Sequence, residues 1–307
     1  MTKESQIRVL VDLASFRPAG DSEGGGRGRQ DKKTIRRDEK EKERDHMEKK
    51  RLGILGSGFL SGIVVDAWKQ GQLPEYEIVG VLGRNQATAE ELAGKAGCRA
   101  CGTLEEMLSQ KPDYVAEAAS VQLVKESAEA ILAAGASLIV LSIGAFADAA
   151  FYERAKETAR AHGSRIYIAS GAVGGFDVLR TVSLMGQATA GIETRKGPKS
   201  LQGTPLFEEH LMEDQEESLV FSGNAAEAIA LLPTKVNVAV ASALATVGPE
   251  AASVRITSVP DFVGDDHKIT AEIPGVKAVV DIYSSTSAIA GWSVVAVLRN
   301  IVSPVVF

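Results

Sequence analysis

The 307-residue chain contains only two cysteines and four histidines. Two cysteines are too few for a disulfide framework. No apolar run reaches the roughly 18 residues that a membrane span needs, and the N-terminus has no apolar segment of the signal-peptide kind. We therefore expect a cytoplasmic protein with no membrane partner.

An excess of positive charge is also missing, because the formal net charge is −6. Nucleic acids and anionic membrane surfaces attract basic proteins, so we expect neither as a partner. Hydrophobic residues make up 45% of the chain and charged residues 24%, which is typical of a globular protein. At this length the chain can bury a sizeable core and form two domains.

The two cysteines stand in a C-x-x-C pattern, Cys98 and Cys101. Such a pattern can form a redox pair or half of a zinc site. No second pair of Cys or His lies nearby to complete four zinc ligands, and the pattern falls between a helix and a short strand. We interpret these residues as two reduced thiols and expect no metal.

The first fifty residues differ from the rest, since they are rich in glycine and in charges of alternating sign. Such a segment buries too little apolar surface to offset the entropy of ordering it, so residues 1–50 are predicted to be a disordered or dispensable tail. The alternative is that IRVLVDL, with Ile7, Val9 and Val11 alternating, adds an edge strand or a partner contact.

Strand and helix patterns alternate between residues 51 and 172. Short apolar strands such as RLGILG, YEIVGVLG and SLIVLSIG are separated by segments with apolar residues three and four apart. This alternation predicts a doubly wound parallel sheet, a Rossmann-type dinucleotide-binding domain.

The first strand leads into a glycine-rich turn that opens a helix. Gly56 permits the tight turn, Gly58 lets the backbone approach a pyrophosphate, and Ser61 is small enough for close packing. The start of the helix offers unpaired N–H groups to phosphates. The predicted cofactor-binding residues here are Gly56, Ser57, Gly58, Phe59 and Leu60.

The end of the second strand bears on the choice of cofactor. An acid at this position usually bonds the ribose hydroxyl of NAD, whereas an arginine accommodates the 2′-phosphate of NADP. Here the strand runs into Gly83, Arg84 and Asn85, with no acid. The pattern favours NADP through Arg84 and leaves NAD open.

A second, smaller α+β domain with a mixed sheet is predicted for residues 173–285. Its strands follow one another with few helical crossovers, and the apolar segment at 286–302 is expected to be a helix that packs back on the first domain. Substrate then belongs in the cleft at the carboxyl ends of the parallel strands. His267 begins a strand of the second domain and is expected to face that cleft.

Several sequence blocks carry a family resemblance in order along the chain: GSGFLSG, PDYVAEAAS, LSIGAFAD, SGAVGGFD, NVAVASALATVG and DDHKI. Together they resemble the L-aspartate dehydrogenase family. The resemblance implies that His267 is catalytic, that Ala172 and Asn237 bind a nicotinamide cofactor, and that the activity is linked to NAD biosynthesis. We also expect a homodimer formed through residues 173–285.

That family implies a reaction that interconverts L-aspartate with iminoaspartate, or with oxaloacetate plus ammonia. An imidazole with an ordinary pKa near 6.5 exchanges protons at neutral pH, which suits such an acid/base step. A dicarboxylate also needs cationic partners, and the candidates are Arg195, Lys196 and Lys235.

The chain departs from the family near the expected pocket. Asp265 stands where an asparagine is common, and Lys235 and Val236 lie in a block that usually reads differently. Two alternatives therefore stay open: a dehydrogenase of another small amino or hydroxy acid, and a non-catalytic sensor that binds NAD(P).

Overall fold

The computed structural model describes residues 48–233 and 235–307. The predicted tail, including the IRVLVDL segment, lies outside the described residues except for its last three positions.

A six-stranded parallel sheet forms the first half of the described chain. Its spatial order is β3-β2-β1-β4-β5-β6, which reverses direction between β1 and β4. The strands are β1 Lys50–Leu55, β2 Tyr76–Leu82, β3 Arg99–Cys101, β4 Tyr114–Glu117, β5 Ser137–Val140 and β6 Ile166–Ile168. In such a sheet ligands bind at the carboxyl ends of the strands where the order reverses.

Five helices cover this sheet, and their ends follow local sequence rules. They are α1 Phe59–Lys69, α2 Gln86–Ala96, α3 Leu104–Ser109, α4 Val121–Ala133 and α5 Ala149–His162. The side chains of Asn85, Thr103, Ser120 and Asp148 each accept an N–H bond from the first turn that follows. A short 3-10 helix, Ile143–Ala147, lies between β5 and α5.

The two cysteines are free thiols. Cys101 is fully buried in β3 and Cys98 is half-buried just before it. Burial raises the pKa of both thiols, so neither is a ready thiolate.

The second sheet has five strands in the order β11-β10-β7-β9-β8. Only β7 and β9 pair in parallel, and the other neighbours are antiparallel. The strands are β7 Thr189–Lys196, β8 Ser218–Asn224, β9 Ser253–Ser258, β10 Asp265–Ile273 and β11 Val276–Ser284. The predicted fold class, a Rossmann-type parallel sheet followed by a mixed sheet, is confirmed.

Helices α6 Phe176–Met185, α7 Ala225–Leu231 and α8 Asn237–Leu244 accompany the second sheet. The sequence patterns did not predict α6, which packs on β10 and β11. It begins after Gly175, whose φ is 68°. A side-chain carbon there would lie 2.6 Å from Val280, so a glycine lets the helix approach the sheet closely.

The last helix, α9 Ala288–Val302, packs on α1 and joins the core of the first sheet. The Tyr76 hydroxyl donates a 2.7 Å hydrogen bond to the carbonyl of Leu298. Gly291 sits against Ile63, where a side-chain carbon would approach to 2.8 Å. Of the helices described in residues 48–233 and 235–307, none has both the length and the apolar character that crossing a bilayer requires.

Candidate active site

The turn between β1 and α1 has the geometry of a phosphate-binding loop. Gly56 has a φ of 116°, and a side-chain carbon there would lie 2.5 Å from the carbonyl oxygen of Ala118. Gly58 has no atom within 4 Å of its side-chain position, so that side of the loop is open. No side chain caps the start of α1. The N–H groups at Phe59 and Leu60 are therefore left to an external anion.

Ser61 is packed behind this turn and is 1% exposed. Its Oγ atom is buried without a hydrogen-bond partner, and it would lie 3.1 Å from a side-chain carbon at Gly56. A larger residue at either position would push the turn away from α1. The open glycine, the uncapped helix and the adjacent reversal of strand order all fit a dinucleotide.

The end of β2 is joined to the same turn. The Ser57 hydroxyl lies 2.7 Å from the hydroxyl of Thr88 in α2, and it occupies the space that a side chain at Gly83 would fill. Asn85 uses its Oδ1 atom to cap α2 at Thr88. Arg84 is exposed beside this junction, where the ribose of a bound dinucleotide is expected.

Glu117 ends β4 and is completely buried, although no sequence pattern indicated a role for it. Its carboxylate accepts N–H bonds from Ala119, Leu141 and Ser142, and a bond from the Ser142 hydroxyl. An acid closing an apolar strand was the one feature of the sequence that could have pointed to it.

The predicted residue Ala172 lies in the loop at residues 171–175, and Asn237 lies close to this loop. A side-chain carbon at Gly171 would lie 3.6 Å from Val238, which follows Asn237. One at Gly174 would lie 4.0 Å from Ile282, the β11 partner of His267. The loop therefore connects the start of α8 with the strands that carry the histidine, and Ala172 is half-buried within it.

His267 is the third residue of β10 and is 3% exposed. It pairs with Thr194 of β7, whose Oγ1 atom lies 2.9 Å from the imidazole Nδ1. This contact leaves Nε2 as the ring nitrogen for a substrate. Burial lowers the pKa of His267 to about 4. The negative charge of Asp265 opposes this shift, and the positive charge of Lys196 adds to it. The ordinary pKa near 6.5 expected from the sequence is therefore wrong for the folded chain, where burial keeps the imidazole neutral at pH 7.

Lys196 and Asp265 form an ion pair next to this histidine. Their Nζ and Oδ1 atoms are 3.1 Å apart, and Lys196 is 3% exposed. The Oδ1 atom is buried and the contact lacks hydrogen-bond geometry, so charge rather than a directed bond holds the pair. Because side chains alternate along a strand, Thr194 and Lys196 share the face that carries His267.

The structure does not bring the other two cationic candidates to this face. Arg195 points to the opposite side of the second sheet and pairs with Glu217. Lys235 is exposed in the turn before α8. Of the three cations considered, only Lys196 is buried beside His267.

A nucleotide-binding turn in a parallel sheet, followed by a buried histidine in a mixed sheet, defines a two-domain nicotinamide-dependent oxidoreductase. Residues 52–169 match the model of the homoserine dehydrogenase NAD-binding domain, and residues 177–301 match the C-terminal domain of aspartate dehydrogenase.

Comparison with similar proteins over most of the chain identifies the family. It is 31% identical to an L-aspartate dehydrogenase of Methanosarcina mazei, over 83% of this chain and 98% of that protein. Its identity to a Methanosarcina barkeri protein of the same name is 32%, with the same coverage. The crystal structure of aspartate dehydrogenase from Thermotoga maritima matches with a TM-score of 0.68 and 27% identity, over 84% of this chain and 99% of that one. The chain belongs to the L-aspartate dehydrogenase family, and its cofactor is a nicotinamide dinucleotide.

Proposed function

We propose that this enzyme interconverts L-aspartate with iminoaspartate, and so with oxaloacetate plus ammonia, using NAD or NADP. The observation that carries the proposal is the pairing of a buried, neutral His267 with a buried cation, Lys196, on one face of the second sheet. A base and a cation in one place suit a substrate that loses a proton and carries carboxylates.

His267 is the acid/base of this proposal. A nicotinamide dinucleotide held at the Gly56–Gly58 turn would supply the acceptor for the hydride that leaves the substrate carbon bearing the amine. With Nδ1–H donating to Thr194 Oγ1, His267 Nε2 takes a proton from the substrate ammonium before that step. It releases this proton to solvent and then takes a proton from the water that adds to the imine. Thr194 holds Nδ1, which fixes the orientation of the ring. The lowered pKa keeps the imidazole in the base form across neutral pH.

Lys196 is the proposed partner of a substrate carboxylate, with Lys235 a second candidate from the turn before α8. Asp265 partly neutralises Lys196 and offers a negative group to the substrate ammonium. A substrate with both charges therefore suits the pair. The same arrangement also fits another small amino acid, which is the second candidate function.

Arg84 supports NADP as the preferred cofactor, since it is exposed beside the Ser57–Thr88 junction and no acid ends β2. The cofactor-binding residues of the proposal are Gly56, Ser57, Gly58, Phe59, Leu60, Arg84, Ala172 and Asn237. We further propose that residues 51–172 with the last helix bind the cofactor, that residues 173–285 bind the substrate and form a homodimer, and that the cytoplasmic reaction contributes to NAD biosynthesis.

The test is the oxidation of NADH and of NADPH with oxaloacetate and ammonium, in the wild type and in His267→Ala. Loss of an acid/base group should lower kcat by roughly 10²–10⁴ while the Kd for the cofactor changes little. His162→Ala is the matched control, because His162 is exposed at the end of α5.

The outcomes separate the candidate functions. Turnover with oxaloacetate that is lost only in His267→Ala supports the proposal. Turnover with other 2-oxo acids but not with oxaloacetate favours the second candidate. Cofactor binding without any turnover favours a non-catalytic sensor, and wild-type kcat in His267→Ala removes the histidine from the mechanism.

A further inference from the structure

Glu117 is a buried acid that the proposed mechanism does not use. Its Oε1 atom accepts bonds from the N–H of Ala119 at 2.7 Å and from the Ser142 hydroxyl at 2.7 Å. Its Oε2 atom accepts the N–H groups of Leu141 at 3.1 Å and Ser142 at 2.9 Å. Burial raises the pKa of this carboxyl, and the four donors oppose that shift. Only a group with two acceptor oxygens can satisfy four donors here.

These bonds join the carboxyl ends of β4 and β5, beside the point where the strand order reverses. Leu141 and Ser142 lead directly into the 3-10 helix Ile143–Ala147. Glu117 therefore sets where this 3-10 helix starts. Because ligands bind at this edge of a doubly wound sheet, the segment borders the expected cofactor cleft.

The same 3-10 helix holds Asn237. The N–H of Gly144 donates a 2.9 Å hydrogen bond to Asn237 Oδ1, across 93 residues of chain. A side-chain carbon at Gly144 would lie 2.9 Å from that oxygen and 2.5 Å from Ile229. The contact is thus tightly packed, and a small shift of the 3-10 helix would break it. Because this bond occupies Oδ1, the amide N–H₂ of Asn237 is the part of the side chain that remains for a ligand.

We propose that Glu117 is a positioning residue. It fixes residues 141–144 and, through the Gly144 N–H, the side chain of Asn237 at the nicotinamide end of the cleft. The role at the nicotinamide rests on the proposed function. The link from Glu117 to Asn237 rests only on the hydrogen bonds given above.

If Glu117 has a purely structural role, its substitution should have a different effect. In that case the carboxylate stabilises the sheet edge as any buried polar group does, and its loss lowers stability without affecting Asn237. Ser164 provides the matched control. It is 7% exposed, like Ser142, and its hydroxyl is likewise engaged, as a donor to the carbonyl of Leu132. It precedes β6, however, and so lies at the amino ends of the parallel strands, away from the carboxyl ends that Glu117 joins.

The first test is hydrogen exchange of the Gly144 amide, which needs no turnover. Glu117→Gln replaces one acceptor oxygen with an N–H₂ group that faces donors, so the Gly144 amide should exchange at least about tenfold faster. Asn237→Ala gives the rate with the acceptor removed. Ser142→Ala is the milder variant if Glu117→Gln does not fold, and Ser164→Ala should leave this amide unchanged.

The second test is the Kd for NADH and NADPH together with kcat. Glu117→Gln and Ser142→Ala should each raise Kd or lower kcat by about tenfold, and combining Glu117→Gln with Asn237→Ala should add little to either single change. Wild-type exchange at Gly144, with only a lower melting temperature, would overturn the proposal. Faster exchange at Gly144 in a protein that binds neither cofactor would uphold the link and defeat the proposed function instead.

Discussion

Three glycines in the first turn and helix should respond differently when each is changed to alanine. Gly56→Ala forces a side chain into a φ of 116° and to 2.5 Å from the Ala118 carbonyl oxygen. Backbone strain of this kind costs about 1–3 kcal/mol, and the overlap adds to it. We expect the free energy of unfolding to fall by about 3 kcal/mol or more.

Gly58→Ala tests the cofactor rather than the fold. The φ of Gly58 is −90°, which alanine adopts readily, and no atom lies within 4 Å of the new carbon. The free energy of unfolding should fall by only about 1 kcal/mol, because alanine is a poorer N-cap residue than glycine. The added methyl group would occupy the space in which a pyrophosphate approaches the backbone, so the Kd for the cofactor should rise by at least about tenfold.

Gly62→Ala is the matched control inside α1. Its side-chain position is also open, and alanine in a helix is favoured over glycine by roughly 0.5–1 kcal/mol. The variant should be more stable and should bind the cofactor as the wild type does. Urea unfolding and fluorescence titration with NADH and NADPH measure both quantities. Wild-type cofactor affinity in Gly58→Ala would refute the assignment of this turn to the pyrophosphate.

Three further outcomes are expected. The pKa of His267 is lowered from 6.5 to about 4, so the unfolded chain binds a proton that the folded chain does not. The free energy of unfolding should therefore fall as the pH drops from 6.5 to 4, and His267→Gln should flatten that slope; equal slopes in urea unfolding would contradict this. Arg84→Ala should raise the KM for NADPH much more than that for NADH, and equal effects would make Arg84 an ordinary surface charge. Asp265→Asn should leave Lys196 without its ion-pair partner, so that the full positive charge attracts the substrate carboxylate and the KM for oxaloacetate falls by about tenfold. An unchanged KM would remove Lys196 from the substrate site.

The parallel sheet was predictable because its strands are buried on both faces and therefore appear as short apolar runs between amphipathic helices. Helix α6 was missed for a physical reason. It follows a loop of glycines, and its register is set by contact with Val280 of β11, which is distant in the sequence. Local patterns carry no information about such a contact.

The candidate active site was also predictable only where its residues form a local sequence pattern. A glycine-rich turn after a strand is a local pattern, and so Gly56 and Gly58 could be assigned from sequence. Arg195 and Lys196 are neighbours in β7, and only one of them can face His267. The pairing register of β7 with β10 decides which one does. A shift of one residue would exchange their faces. Glu117 could not be assigned, because three of its four donors belong to Leu141 and Ser142, which lie 24 and 25 residues further along the chain and reach the carboxylate only after folding.

The position of α9 has a consequence for the synthesis of the protein on the ribosome. The face of the first sheet that carries α1 is completed by Val294, Val295 and Leu298, which are translated after the whole second sheet. The first sheet therefore emerges with an apolar surface uncovered, and it stays so until α9 is made. A nascent chain of this design offers that surface to chaperones between the synthesis of β6 and that of α9. A fragment that stops after β6 would keep that surface exposed and should aggregate.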